Sequence, residues 1–169
     1  HIASLLPDDR QSVVGILFPN TDEFLITYLA IVHAGHIAMP LDPLYKEPEI
    51  QAVAEQLKPR FTVTSSKSRP LFAANEKTVL VSEILSTDPV NKTRPLFRLK
   101  PSEQIATILF TSGTTGRPKA VPYSHTNYLW NPLAVSKLWG WNSEDTILSS
   151  LPLSHWHGLA MSVNGMLIH

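Results

Sequence analysis

The sequence predicts an α/β protein, with a mostly parallel sheet (or sheets) flanked by helices. Three observations carry that expectation. Continuous apolar runs such as Val13–Phe18 and Ile105–Phe110 suit strands buried on both faces. Segments with apolar residues at helical spacing lie between those runs. The two kinds alternate, and a strand–helix–strand repeat is the unit from which parallel sheets are built.

Taken in order, residues 1–11 form a short polar lead-in. The run Val13–Phe18 is a strand, broken by Pro19-Asn20-Thr21, which offers a helix N-cap followed by Asp22 and Glu23 in the first turn. Phe24 to Ala34 places Phe24, Tyr28 and Ile31, and beside them Leu25, Leu29 and Val32, at helical spacing, and Gly35 stops the helix. His36–Leu41 is a second strand and Asp42-Pro43-Leu44-Tyr45 a turn. Glu47–Leu57 is a more polar helix, Arg60–Thr64 a third strand, Lys67–Asn75 a short helix and Thr78–Val81 a fourth strand. Residues 87–104 hold Pro89, Pro95 and Pro101 and read as an extended surface linker. Beyond it come the strand Ile105–Phe110, an extended piece at Val121–Tyr123, and a helix that Ser124 or Thr126 can start and that runs toward Leu138. Pro132 must lie in the first turn of that helix or kink it. Trp139-Gly140-Trp141-Asn142 closes it, Thr146–Leu151 is a further strand, Pro152–Gly158 a loop, and Leu159–Ile168 another helix. The tryptophans are expected in the core.

Composition excludes several classes. Lys+Arg and Asp+Glu both number 14, so no basic field points to nucleic acid. Hydrophobic residues are 43% and charged residues 17%, the balance of a globular chain. Without cysteine there is neither a disulfide framework nor a thiolate metal site, as suits a reducing, cytoplasmic setting. No apolar run reaches the ~18 residues of a membrane span. The chain starts at His1 and ends inside an apolar helical pattern, so it is expected to be a piece of a longer polypeptide.

The chemistry is concentrated in Phe110-Thr111-Ser112-Gly113-Thr114-Thr115-Gly116-Arg117-Pro118-Lys119-Ala120-Val121. Glycines let backbone approach a ligand closely. Backbone N–H groups and the hydroxyls of Thr111, Ser112, Thr114 and Thr115 offer donors to phosphate oxygens. Lys119 adds a point charge on a flexible stem. Spacing rules out a Walker loop, which needs glycine before the lysine and Ser or Thr after it; here Pro118 and Ala120 stand there. With only Gly113 and Gly116 in the loop, the dinucleotide fingerprint is missing too.

This stretch closely resembles the signature of the adenylate-forming superfamily, which includes acyl-CoA synthetases, luciferases and nonribosomal-peptide adenylation domains. Its usual form is aromatic-Thr-Ser-Gly-[Ser/Thr]-Thr-Gly-x-Pro-Lys-Gly, and only the last position departs, as Ala120. Ala34-Gly35-His36-Ile37-Ala38-Met39-Pro40-Leu41-Asp42-Pro43 is similar to a second family stretch. Leu151-Pro152-Leu153-Ser154-His155-Trp156-His157-Gly158 resembles a third, "Leu-Pro-Leu-Phe-His-x-x-Gly", with Ser154 in place of phenylalanine. His125 matches a common family histidine, and a structural role at a helix start is an equal reading.

The resemblance implies part of the large N-terminal domain of such an enzyme. It would comprise strand and helix units over 12–86, the linker 87–104, and a phosphate-loop and acyl-pocket segment over 105–169. It implies ATP and Mg²⁺ as ligands, with ATP phosphates held by Thr111, Ser112, Gly113, Thr114, Thr115, Gly116 and Lys119. His155 and Gly158 would border the acyl substrate and the thiol tunnel. A small carboxylic acid would be activated as an acyl-adenylate and passed to CoA or to the pantetheine of a carrier protein, with further domains of the same polypeptide as partners. The family's later motifs for adenine, ribose and the reacting carboxylate are not in these residues. The isolated chain is therefore expected to be inactive. The alternative is a truncated remnant or binding-only fragment of the same fold. No metal site formed by protein side chains is expected: His155 and His157 have no nearby Cys or carboxylate in sequence to complete a zinc set.

Overall fold

The computed structural model describes residues 11–68, 71, 77–85, 103–111 and 118–168. Its centre is a six-stranded sheet in the order β4-β3-β1-β2-β5-β6. The strands are β1 (Val13–Leu17), β2 (Ile37–Pro40), β3 (Phe61–Thr64), β4 (Thr78–Leu80), β5 (Ile105–Thr111) and β6 (Lys119–Ser124). All pair in parallel except β6, which runs antiparallel to β5. Helix α1 (Asp22–His33) links β1 to β2, and α2 (Glu47–Leu57) links β2 to β3.

The connection after β1 moves one way along the sheet and that after β2 moves the other. Crossovers of one hand must then lie on opposite faces, and the core divides accordingly. Phe24, Tyr28 and Ile31 of α1 pack with Val14, Ile16 and Ala38 on one face. Ile50 and Val53 of α2 pack with Leu17, Met39, Ile108 and Phe110 on the other. With helices on both faces, the inner strands need apolar residues on both sides, so their sequences read as continuous apolar runs.

Local chemistry sets the ends of elements. Thr21 is the α1 N-cap in extended conformation, and Gly35, with φ 81°, turns the chain into β2. Leu41 N–H donates to the Ile16 carbonyl at 2.8 Å. Successive residues of a strand point to opposite neighbours, so the N–H that Pro40 lacks would have faced β5, and the register with β5 is confined to Ala38 opposite Thr107. Pro122 sits in β6, which pairs only with β5 among the described residues, a position that tolerates proline. Gly15 is required sterically, since a Cβ there would overlap the Thr62 hydroxyl on β3.

Helix α4 (His125–Trp139) starts where its capping sequence indicates. Asn127 N–H donates to Ser124 Oγ at 3.3 Å and Ser124 N–H donates to Asn127 Oδ1 at 2.9 Å. Pro132 lies beyond the first turn, buried, and the helix continues past it to Gly140, whose φ is 70°. After a loop, the chain forms π-helical turns over His157–Asn164 and a last turn, α5 (Gly165–Ile168).

Three expectations change. Thr146–Leu151 is not a strand: no described strand lies alongside to complete a ladder, and Leu148 is 96% exposed. Val81 opens a short helix, α3 (Val81–Leu85), instead of ending β4. The tryptophans are not uniformly core, for Trp130 and Trp139 on the outer side of α4 are 66% and 60% exposed. Most of the expected helix 67–75 and of the linker 87–104 lies outside the described residues.

Candidate functional site

The buried part of β5 ends at Phe110, and Thr111 emerges exposed at the carboxyl end of the strand. The chain returns along β6, whose first residue, Lys119, is also exposed. Thr111 and Lys119 are direct cross-strand partners, followed by Phe110 with Ala120 and Leu109 with Val121. Side chains opposite one another in a ladder share a face, with Cβ atoms about 4.5–5.5 Å apart. The Thr111 and Lys119 side chains thus leave the ladder on one face at the mouth of the connection. Ser112, Gly113, Thr114, Thr115 and Gly116 lie within that connection, outside the described residues. Ala120 is in extended β6 and packs against the Phe110 cluster, a position that does not demand glycine.

The second group of predicted residues is carried by the loop before the π-helical turns. His155 N–H donates to the Pro152 carbonyl at 3.1 Å, and the His155 carbonyl accepts from Leu159 N–H at 3.0 Å. Gly158 is buried against the same turn, and a Cβ on it would overlap the Pro152 carbonyl oxygen. Gly158 is therefore what allows the helix to start this close to Pro152.

Two residues outside the predicted set hold this loop against the sheet. Asn20, after β1, donates from Nδ2 to the Leu151 carbonyl at 2.8 Å and accepts from Leu153 N–H through Oδ1 at 2.9 Å. Asp42, after β2, places Oδ2 3.4 Å from His155 Nε2. Its Oδ1 accepts from Leu44 N–H at 2.9 Å, which fixes the carboxylate on its own turn. In sequence both residues read as ordinary turn formers. The available signal was topological: they follow adjacent parallel strands whose connections diverge, and open α/β sheets bind ligands outside the carboxyl ends of strands at such a point.

Aromatic packing supports the other side of the loop. Trp156 stacks on Tyr123 with centroids 4.3 Å apart and 25° between planes, and Tyr128 lies 4.9 Å from Trp156. Burial pushes the Tyr28 and Tyr128 phenols above the ordinary tyrosine range, and for Tyr128 the adjacent Tyr28 adds to the effect. An open cleft of about 370 Å³ lies between Tyr123, Asn127, Trp130 and Trp156. Among the described residues, no group of three or more His, Asp or Glu side chains could hold a metal ion, and no helix is long and apolar enough to cross a membrane.

The described residues thus place Thr111 and Lys119 at the carboxyl end of β5, and a braced histidine loop at the carboxyl ends of β1 and β2. The profile of the AMP-binding enzyme family matches residues 2–169. The mitochondrial malonate–CoA ligase ACSF3 of Xenopus laevis is 30% identical over 155 residues, covering 86% of this chain and 27% of that protein. The oxalate–CoA ligase of Arabidopsis thaliana is 30% identical over 172 residues, covering 93% of this chain and 33% of that protein. Among solved structures, ATP-bound MatB from Rhodopseudomonas palustris superposes with a TM-score of 0.84 at 25% identity, over 98% of this chain and 36% of that one. The chain therefore spans about a third of the length of these relatives, and over that span the fold, the Phe110–Val121 signature and the profile agree: it belongs to the AMP-binding enzyme family.

Proposed function

We propose that this chain is the ATP- and acid-binding segment of an adenylate-forming ligase. The observation that carries the reading is the pairing of Thr111 with Lys119 at the open end of the β5–β6 hairpin, which sets a hydroxyl and an ammonium at the two ends of the loop that matches the family signature. In the proposed reaction, a carboxylate oxygen of the acid attacks the α-phosphorus of ATP and pyrophosphate leaves. A thiol sulfur of CoA or a carrier-protein pantetheine then attacks the acyl carbon and AMP leaves.

Such chemistry depends on positioning and charge neutralisation more than on covalent help from the protein. Lys119 neutralises charge on the β- and γ-phosphates and on the departing pyrophosphate. Thr111, Ser112, Thr114 and Thr115 donate to their oxygens, and Gly113 and Gly116 allow the backbone to approach. Bound Mg²⁺ would supply further neutralisation of phosphate charge. His155 borders the acid and the incoming thiol, and Gly158 allows the turn that puts it there.

The names of the malonate and oxalate ligases suggest the first acids to test. ATP–pyrophosphate exchange is measured on the natural polypeptide that contains residues 1–169, with malonate, oxalate, an aliphatic acid and an aromatic acid. Acid-dependent exchange by that polypeptide, with none from residues 1–169 alone, is the expected result. No exchange with any acid, alongside retained ATP binding, would favour the binding-only alternative.

A further inference from the structure

We infer that Asp42 is a positioning residue for His155, fixing its ring orientation and keeping the proton on Nε2; this rests on the reading of His155 as a residue of the acid and thiol site. The two side chains come from distant parts of the chain, and each is anchored before they meet. On the Asp42 side, Leu41 N–H is tied to the Ile16 carbonyl at 2.8 Å, Tyr45 N–H to the Asp42 carbonyl at 2.9 Å, and Leu44 N–H to Asp42 Oδ1 at 2.9 Å. The second carboxylate oxygen is the one directed at the imidazole, 3.4 Å from Nε2. On the His155 side, the backbone is bonded to Pro152 and Leu159, and Asn20 holds the residues just before it.

The pair contributes little to stability. His155 is half exposed, and ion pairs in water-accessible positions add little to stability. Its consequence is chemical. A neutral imidazole carries its proton on one nitrogen and a lone pair on the other. A carboxylate oxygen at this distance attracts an N–H and repels a lone pair, so Nε2 carries the hydrogen and Nδ1 becomes the acceptor. Orientation of a working histidine by a carboxylate is a general device for setting its tautomer. Here it leaves a ring with one defined acceptor, suited to receive a hydrogen bond from a donor such as a thiol or water.

The test is nitrogen-detected NMR of the histidine rings in ¹⁵N-labelled chain, under conditions where the rings are neutral, with His155→Gln assigning the resonances. In the unsubstituted chain, His155 is expected to show a protonated Nε2 and an unprotonated Nδ1. Asp42→Asn preserves the Leu44 turn, since asparagine accepts the same bond, and the Leu44 amide shift reports that it has done so. In that variant the amide NH₂ takes the place of Oδ2 and donates toward Nε2, so the His155 proton should move to Nδ1, whereas in Asp42→Ala His155 should become a tautomer mixture. An unchanged tautomer in both variants overturns the assignment, as does a protonated Nδ1 in the unsubstituted chain.

The second readout uses the natural polypeptide. Asp42→Asn and His155→Gln should each lower kcat for acyl transfer about tenfold, with little change in KM for ATP. The double variant should be no worse than the poorer single, as expected of residues that act as a unit; additive losses would overturn the coupling. Failure of the functional reading would show as no exchange by the unsubstituted polypeptide. Failure of the Asp42 assignment would show in the NMR spectrum whatever the activity.

Discussion

Thr111 and Lys119 face each other as a cross-strand pair of β5 and β6, so the ladder itself fixes the distance between the two ends of the glycine- and hydroxyl-rich loop. Antiparallel pairing gives Lys119 a rigid backbone base, and its side chain is exposed. The rest of the sheet is parallel and directs the ends of β1, β2 and β5 to one edge. Asn20 and Asp42 hold the His155 loop at that edge.

Asn20 is expected to matter beyond its size. It makes two hydrogen bonds to the backbone of one loop, and Asn20→Ala leaves both groups without that partner. A loss of about 1–3 kcal/mol is expected in urea unfolding, together with faster amide exchange at Leu153. Unaltered exchange at Leu153 would show that the loop is held by something else.

Much of the fold was legible in the sequence, and the reasons are specific. Strands β1 and β5 are central and apolar on both faces, so Val13–Leu17 and Ile105–Phe110 stand out without any partner being known. The start of α4 was legible because Ser124 caps its own helix. Thr146–Leu151 carries a plausible strand pattern, but a strand exists only when another pairs with it. α3 is too short for periodicity to reveal. Asn20 and Asp42 were legible only as turn residues, because their partners lie at positions 151–155, far along the chain. Ser112 to Gly116 are candidates on their sequence alone, and they lie outside the described residues.

Gly158 should tolerate no side chain. A methyl group there meets the backbone oxygen of Pro152, which cannot rotate away. Gly158→Ala is expected to destabilise by about 1–3 kcal/mol through overpacking, and its thermal midpoint should fall. Gly165→Ala instead meets the edge of the Trp141 ring, a side chain that can shift, and should cost less. The reverse order would mean that the Pro152 turn yields more readily than that ring.

Alkaline pH should weaken the fold through its buried phenols. Burial raises the pKa of Tyr28 and Tyr128, and also of Tyr45, where the charges of Asp42 and Glu49 add to it. Below about pH 10, the ordinary tyrosine value, these groups are protonated in both states and their contribution is fully present. Above it the unfolded chain loses protons that the fold retains, so stability falls as pH rises. Phenolate absorbance of Tyr28 and Tyr128 should therefore appear together with loss of the circular-dichroism signal. Tyr128→Phe should reduce the slope of stability against pH in this range; an identical slope would contradict the origin assigned to it.

The outer side of α4 and the segment after it should drive self-association. Trp130, Leu138, Trp139 and Leu148 are each at least 60% exposed, and exposed apolar surface of this kind favours contact between molecules. Sedimentation velocity on residues 1–169 should show association that rises with concentration. The pair of substitutions Trp130→Ser and Leu138→Lys should reduce it. A monodisperse monomer at all concentrations would show that these residues do not act as a patch.

The most direct test of the phosphate grip is calorimetric titration of the chain with ATP in excess Mg²⁺, beside Lys119→Ala, with AMP as the comparison ligand. Lys119→Ala should weaken ATP binding about tenfold, equivalent to ~1.4 kcal/mol, and change AMP binding little, since AMP lacks the β- and γ-phosphates. Equal ATP affinity in the two proteins would contradict the assignment of Lys119 and, with it, the phosphate-binding role of the β5–β6 loop.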